Sequence, residues 1–347
     1  MRRGVRAVTE IGTGAAPCPA ARRHAAGSAW LVALAGLAAL AIAACGGGNV
    51  GGAPSDGDEA RTRVVATTGI LREFAERVAG NAADVTGIIP PGVDLHSFQP
   101  STRVARDIAE ADLLIVNGYN AEGGLLEIVR ENRADDAPIV AAAARLAVLD
   151  GKGSPPLDAR DLITAPGDPH LWLDATNAIR YVENIRDALV GVDPEHAAGY
   201  ESRAAAYVGQ LRALDAEIRA AVAQIPETQR QLVVFHDAFS YFAAAYGLEL
   251  VAAVLPPGAG QEPSAADVAA IVEAVREAAV PAVYAEPQFD AGVLELVAEE
   301  SGARVLTLYS GAFDTEEGGA ADAPAIGDYE AMMRANAAAL LDGLGGG

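Results

Sequence analysis

The sequence predicts an α/β fold of two lobes, each a mostly parallel sheet flanked by helices, joined by one long rigid helix. Three observations predict it. Short apolar runs alternate with segments of helical periodicity along most of the chain, the pattern of repeated βα units. From Pro194 to Ile225 the chain is rich in Ala, Arg, Glu, Leu and Tyr, with no proline after its first residue. Three of the five histidines, His96, His170 and His236, each stand just beyond a strand-like run, where open α/β sheets bind ligands.

Residues 1–44 are expected to be an export signal. Arg22, Arg23 and His24 precede an apolar stretch, Ala29 to Ala44, which is short for a membrane-spanning helix. It ends Leu40-Ala41-Ile42-Ala43-Ala44-Cys45, which resembles a bacterial lipobox, with Cys45 diacylated as the mature N-terminus. Residues 45–61 are then the lipidated cysteine and a tether whose Gly, Ser, Asp and Pro content suits a flexible linker.

The first lobe is expected over residues 62–193. Its candidate strands are Arg63–Thr67, Val85–Ile89, Leu113–Asn117 and Pro138–Ala141, with helices over Gly69–Ala79 and from about Thr102. Gly80 closes the first helix. Residues 194–225 are expected as the connecting helix, roughly 45 Å long at 1.5 Å per residue. Asp193-Pro194 opens it as a cap with proline in the first turn. Its apolar positions show no sustained heptad, which argues against a coiled coil. The second lobe, 226–347, alternates strands at Leu232–Phe235, Leu248–Leu255, Ala282–Ala285 and Arg304–Leu308 with helices at Phe239–Tyr246, Ala265–Ala278, Ala291–Glu300 and Asp328–Leu341. His96, His170, His236, Glu286 and Ser310 all fall at carboxyl ends of strands.

Charge narrows the function. The full chain carries a formal net charge of −22. Loss of residues 1–44 removes five arginines and Glu10, leaving 20 basic against 46 acidic side chains and a net charge of −26. Such a surface disfavours nucleic acid as a partner and attracts cations. Of the two cysteines, Cys18 lies in the discarded segment and Cys45 would carry lipid. A disulfide, a thiolate metal site and a cysteine nucleophile are thereby excluded. The chain also has no glycine-rich phosphate loop, no Gly-x-Ser-x-Gly elbow and no His-Glu-x-x-His helix.

Three imidazoles drawn from distant strand ends suggest one convergent metal site. His96 sits in a loop stiffened by Pro90, Pro91, Gly92 and Pro100. His170 is flanked by Asp168 and Asp174, either of which could accept its second ring N–H. His236 directly follows Val233-Val234-Phe235. Singly, each histidine reads more readily as a structural residue than as a ligand; their matching positions reverse that reading and argue for convergence. His196, in the first turn of the long helix, is expected to be exposed and without function.

Seven ordered segments then point to a family: Thr67-Thr68-Gly69-Ile70, Gly92-Val93-Asp94-Leu95-His96, Asp168-Pro169-His170-Leu171-Trp172-Leu173-Asp174, His236-Asp237-Ala238-Phe239-Ser240-Tyr241-Phe242, Glu262-Pro263-Ser264-Ala265, Tyr284-Ala285-Glu286-Pro287-Gln288-Phe289 and Tyr329-Glu330-Ala331-Met332-Met333-Arg334-Ala335-Asn336. From about Val64 onward the chain resembles the zinc- and manganese-binding receptors of bacterial ABC importers, the ZnuA/TroA-like group. The resemblance implies metal held between two lobes, with His96 and His170 from the first and His236 from the second. It departs from the family pattern at Leu95, where proline is usual, and at Gly311, where an aspartate is common. The fourth ligand position is therefore left to Asp314, Glu286 or water.

Three imidazoles with one oxygen suit tetrahedral zinc, whereas manganese prefers more oxygen. Zn²⁺ is the expected cargo, with Mn²⁺ the alternative. The implied partners are a permease with its ATPase and the membrane held by the lipidated cysteine, and a monomer is expected. The implied location is the outer face of the cell membrane. A zinc-dependent hydrolase is the rival from another class, because three histidines and a water also describe catalytic sites. No candidate general base stands apart from the candidate fourth ligands, so no catalytic residue is assigned.

Overall fold

A computed structural model describes residues 61–149, 163, 165–255, 264–290, 292–311 and 326–345. The expected export signal, Cys45, its tether up to residue 60, and Asp314 lie outside the described residues. All described residues belong to one compact unit, Asp58–Gly347.

Eight strands form two separate four-stranded sheets. The first contains β1 (Thr62–Ala66), β2 (Ala83–Gly87), β3 (Leu113–Val116) and β4 (Ile139–Ala141) in the order β2-β1-β3-β4. The second contains β5 (Gln231–His236), β6 (Glu249–Leu255), β7 (Ala282–Ala285) and β8 (Arg304–Thr307) in the order β6-β5-β7-β8. Every pairing is parallel. Two of the inner strands, β3 and β7, are buried along their whole length, all four residues in each. Burial on both faces is what parallel sheets covered by helices require. In each sheet the first strand lies between the second and third, so the chain reverses its direction of winding there. Such switch points place loops from both sides beside one crevice.

The helices show how the sequence stops and starts them. Helix α1 (Gly69–Ala79) begins where the Thr68 hydroxyl accepts the Leu71 N–H, and ends at Gly80, whose φ is 55°. It buries Ile70, Leu71, Phe74 and Val78 along one stripe. Two short helices follow, α2 (Thr102–Ala109) and α3 (Leu125–Asn132). Helix α4 (Ala175–Val192) is capped by Asp174, which accepts the Thr176 N–H at 2.8 Å.

Neither α3 nor α4 is expected from the sequence. Helix α4 lies against α1 and against β3 and β4 of the first sheet. It packs along α5 (Ala197–Val222), the 26-residue helix that carries the expected long segment. Pro194–His196 forms a 3₁₀ turn before α5 rather than its first turn. At 1.5 Å per residue α5 is about 39 Å long. Its stripe of Tyr200, Tyr207, Leu211, Leu214 and Ile218 is buried.

The remaining helices are α6 (Ser240–Tyr246), α7 (Ala265–Ala278), α8 (Gly292–Ser301) and α9 (Tyr329–Leu344). Helix α9 lies against α5 and is capped by Asp328, which accepts the Ala331 N–H at 2.7 Å. One apolar core runs from β1, β3 and α1 through α4 and α5 to Phe239, Phe242, Tyr329 and Met333. A second cluster, including Val233, Phe235, Ile271 and Leu294, fills the outer side of the second sheet.

Candidate metal centre

The loops at the strand ends bring three imidazoles together. His96 follows β2, His170 precedes the 3₁₀ turn Leu171–Leu173, and His236 is the last residue of β5. Their ring centroids are 5.2, 5.5 and 4.9 Å apart. One nitrogen from each ring lies within 4.8 Å of the other two. Tetrahedral zinc, with Zn–N bonds near 2.0–2.1 Å, sets its donor nitrogens about 3.3 Å apart.

The ring tautomers follow from the neighbours, because a carbonyl or carboxylate oxygen can only accept. His96 Nδ1–H donates to the Ala121 carbonyl at 3.0 Å. His170 Nδ1–H donates to Asp168 Oδ1 at 2.8 Å, and the same oxygen accepts the His170 backbone N–H. Of the two flanking carboxylates, Asp168 therefore orients the ring, while Asp174 caps α4. Each neutral ring is left with a lone pair on Nε2, and these two atoms stand 3.1 Å apart. Two acceptors cannot hydrogen-bond to each other.

A proton between them is disfavoured too. Burial, then the neighbouring imidazoles of His170 and His236, lowers His96 to a pKa of about 4, against an opposing pull from Asp94. Burial, then His236, holds His170 well below the usual histidine range. The two Nε2 atoms therefore face each other with neither a hydrogen bond nor a proton between them.

His236 is 3% exposed and neither ring nitrogen has a hydrogen-bond partner. Leaving a buried polar group unpaired is costly, so this ring too is poised for a ligand. Burial lowers its pKa, but Glu286, together with Asp94 and Asp237, outweighs that and raises it.

Glu286 does not join the convergent group, which among the described residues comprises only the three histidines. Its Oε1 lies 3.7 Å from His236 Nδ1, beyond hydrogen-bond range, and has no partner. Its Oε2 accepts from Gln288 Nε2, which also donates to Ser310 Oγ, both at 2.9 Å. A cavity lined also by Asp94, Gln288, Ser310 and Gly311 opens onto the three rings. His196 is exposed on the surface beside Asp193, away from this group.

At Gly311, where the resemblance leads one to expect an aspartate, the backbone has φ 156°. A Cβ there would approach Ile70 Cδ1 to 3.3 Å and Trp172 to 3.5 Å. Trp172 pins this segment by donating its indole N–H to the Ser310 carbonyl at 2.6 Å. Restoring an aspartate would therefore strain the loop, and glycine suits it.

Comparison with known proteins identifies the family. The profile of the family described as "ZnuA: Zinc-uptake complex component A periplasmic" matches residues 64–343. The chain belongs to the ZnuA family. As a ZnuA-family protein it is a metal-binding receptor of an ABC importer rather than an enzyme, and the hydrolase alternative falls. A relative named manganese-binding lipoprotein MntA, from Halalkalibacterium halodurans, is 32% identical over 308 residues, covering 88% of this chain and 95% of that protein. The iron-binding protein YfeA of Yersinia pestis is 34% identical over 251 residues, covering 72% of this chain and 77% of that protein. The structure of the periplasmic zinc-binding protein TroA from Treponema pallidum matches with a TM-score of 0.70 at 24% identity. That match covers 82% of this chain and 99% of TroA, and at such identity it speaks for the fold alone.

Sequence reasoning missed the Ala121 carbonyl, because backbone acceptors leave no residue signature. It also missed Gln288 as the bridge between Glu286 and Ser310. Gln288 does lie within the family segment Tyr284–Phe289, two residues beyond the carboxylate it holds.

Proposed function

We propose that this receptor captures Zn²⁺ through the Nε2 atoms of His96 and His170 together with His236, and delivers it to a membrane permease driven by an ATPase. The observation that carries the reading is the 3.1 Å approach of the Nε2 atoms of half-buried His96 and buried His170, whose Nδ1 positions are both committed as donors. Zinc accepts three nitrogens readily. Water or the Asp314 carboxylate completes the shell. Glu286 stands behind His236 and accepts its Nδ1–H once the 3.7 Å gap closes. The diacylated Cys45 anchors a monomeric chain to the outer face of the cell membrane, with residues 62–193 and 226–347 as lobes flanking residues 194–225.

Manganese is the second reading, favoured by the name of the H. halodurans relative. Elemental analysis of the purified protein, followed by chelator-competition titrations with Zn²⁺, Mn²⁺ and Fe²⁺, separates the two. One equivalent of zinc bound more tightly than manganese is expected. Tighter manganese would replace zinc as cargo, and no stoichiometric metal at all would overturn the site.

A further inference from the structure

The loop between β3 and α3 is strained in a way its own sequence does not require. Tyr119 and Asn120 both adopt φ 54°, between Gly118 at 102° and Gly123 at 50°. Left-handed backbone at consecutive non-glycine residues persists only where surrounding contacts impose it. Three contacts do so here. The Tyr119 hydroxyl donates to the Leu146 carbonyl at 2.9 Å, and the Asn120 N–H donates to the Ile163 carbonyl at 2.9 Å. The third is the Glu122 carboxyl, 1% exposed, whose Oε1 accepts from Thr67 Oγ1 at 2.6 Å and from the Asn117 N–H at 2.5 Å.

What this contortion delivers is one carbonyl. Ala121, at the tip of the turn and next to Glu122, accepts the Nδ1–H of His96. The carboxyl thus ties the loop to the ends of β1 and β3, and the loop sets the tautomer of the ring. Its other oxygen, Oε2, is buried without a hydrogen-bond partner. A neutral carboxyl suits that environment better than an ion, and burial does raise its pKa. Asn117 extends the same cluster: its Nδ2 donates to the Pro169 carbonyl, one residue before His170, and its Oδ1 accepts from Tyr181.

We infer that Glu122 is a positioning residue for cargo capture: through Ala121 it holds His96 in the Nδ1–H tautomer, so that Nε2 faces His170. The inference rests on the proposed metal site, but its first readout does not require metal. In the metal-free full-length chain, long-range ¹H–¹⁵N NMR of the imidazoles reports each tautomer. Glu122→Ala is expected to shift His96 toward the Nε2–H form while His170, held separately by Asp168, stays as it is. Zinc affinity of the same variant should fall about 10- to 100-fold, as for other partners that orient metal-bound imidazoles. Glu122→Gln, which keeps the shared acceptor and resembles the neutral acid in shape, should stay within about threefold of wild type.

Thr67→Val removes a single donor to the carboxyl, and should shift His96 in the same direction by a smaller amount. It decides the matter if Glu122→Ala does not fold. An unchanged His96 tautomer in whichever of these variants folds would overturn the inference, as would a change of tautomer at both rings together. A wild-type chain that binds neither zinc nor manganese would instead overturn the metal reading, leaving the tautomer result to stand or fall by itself.

Discussion

At the scale of single residues, the three histidines differ in what a proton does to them. His96 and His170 are pushed down by burial and by imidazole neighbours, whereas His236 is raised by Glu286 against the effect of its own burial. Metal needs all three neutral. Protonation of His236 sets in above the ordinary histidine value as pH falls, and His96 follows only near 4. Affinity should therefore drop by about tenfold per pH unit between these limits, one proton being displaced per metal ion. Calorimetry in buffers of differing ionisation enthalpy counts those protons. A slope near three around pH 5–6 would mean that the rings titrate independently. Removing a nitrogen outright is more severe. His236→Ala should lose more than the 10- to 100-fold typical of an orienting partner, measured by chelator competition.

At the scale of elements, α4 shows what sequence patterns hold and what they hide. Its apolar positions Ala178, Tyr181, Val182, Ile185 and Leu189 keep the helical period, and Asp174 marks its start. Both signals are present in the sequence, yet there Asp174 reads equally well as a partner for His170. The structure gives the cap to Asp174 and the ring to Asp168. Asp174→Ala should cost about 1 kcal/mol of folding stability, read from chemical denaturation, with zinc affinity close to wild type. Helix α3 leaves less to read. It has eight residues and follows Gly123-Gly124 with no side-chain cap, so burial of Leu125, Leu126 and Val129 in the core makes it a helix.

At the scale of the whole molecule, two contacts tie the sheets together. Trp172 donates to the Ser310 carbonyl, while its own carbonyl accepts from the Tyr329 hydroxyl at 2.6 Å. The indole also packs against the His170 ring at 5.2 Å. Trp172 is the only tryptophan left once residues 1–44 are removed, so its fluorescence should change in intensity on zinc addition and not in a His170→Ala variant.

The second tie is Glu73, which accepts the Tyr329 N–H at 2.7 Å and bonds Arg77, itself paired with Asp328. Burial raises this carboxyl to a pKa of about 7, against the lowering effects of Tyr329 and Arg77. Its folded value lies above its unfolded one, so folding favours the protonated acid. Stability is lost as pH rises from about 4.5 through 7, by at most about 1.4 kcal/mol for each pH unit. Glu73→Gln should accordingly raise the thermal midpoint at pH 8 and leave it nearly unchanged at pH 4. Equal gains at both values would show that the carboxyl titrates normally.

Periodicity, caps and breakers lie within a few residues of each other, which is why the alternating elements, both sheets and the long helix are legible in the sequence. The place of His236 at the end of β5 is legible for the same reason, whereas His170 opens a 3₁₀ turn with no strand directly before it. Tertiary structure alone decided how those rings meet. The nitrogens of His96 and His170 face one another across 74 residues of chain. Their tautomers depend on a backbone carbonyl and a carboxylate that only the folded loops bring near. Gly311, too, is a departure whose meaning rests on Ile70 and Trp172 packing over it. Local sequence governs backbone preference through short-range sterics. The orientation of a side chain at a shared site is set by neighbours that become neighbours only when the chain has folded.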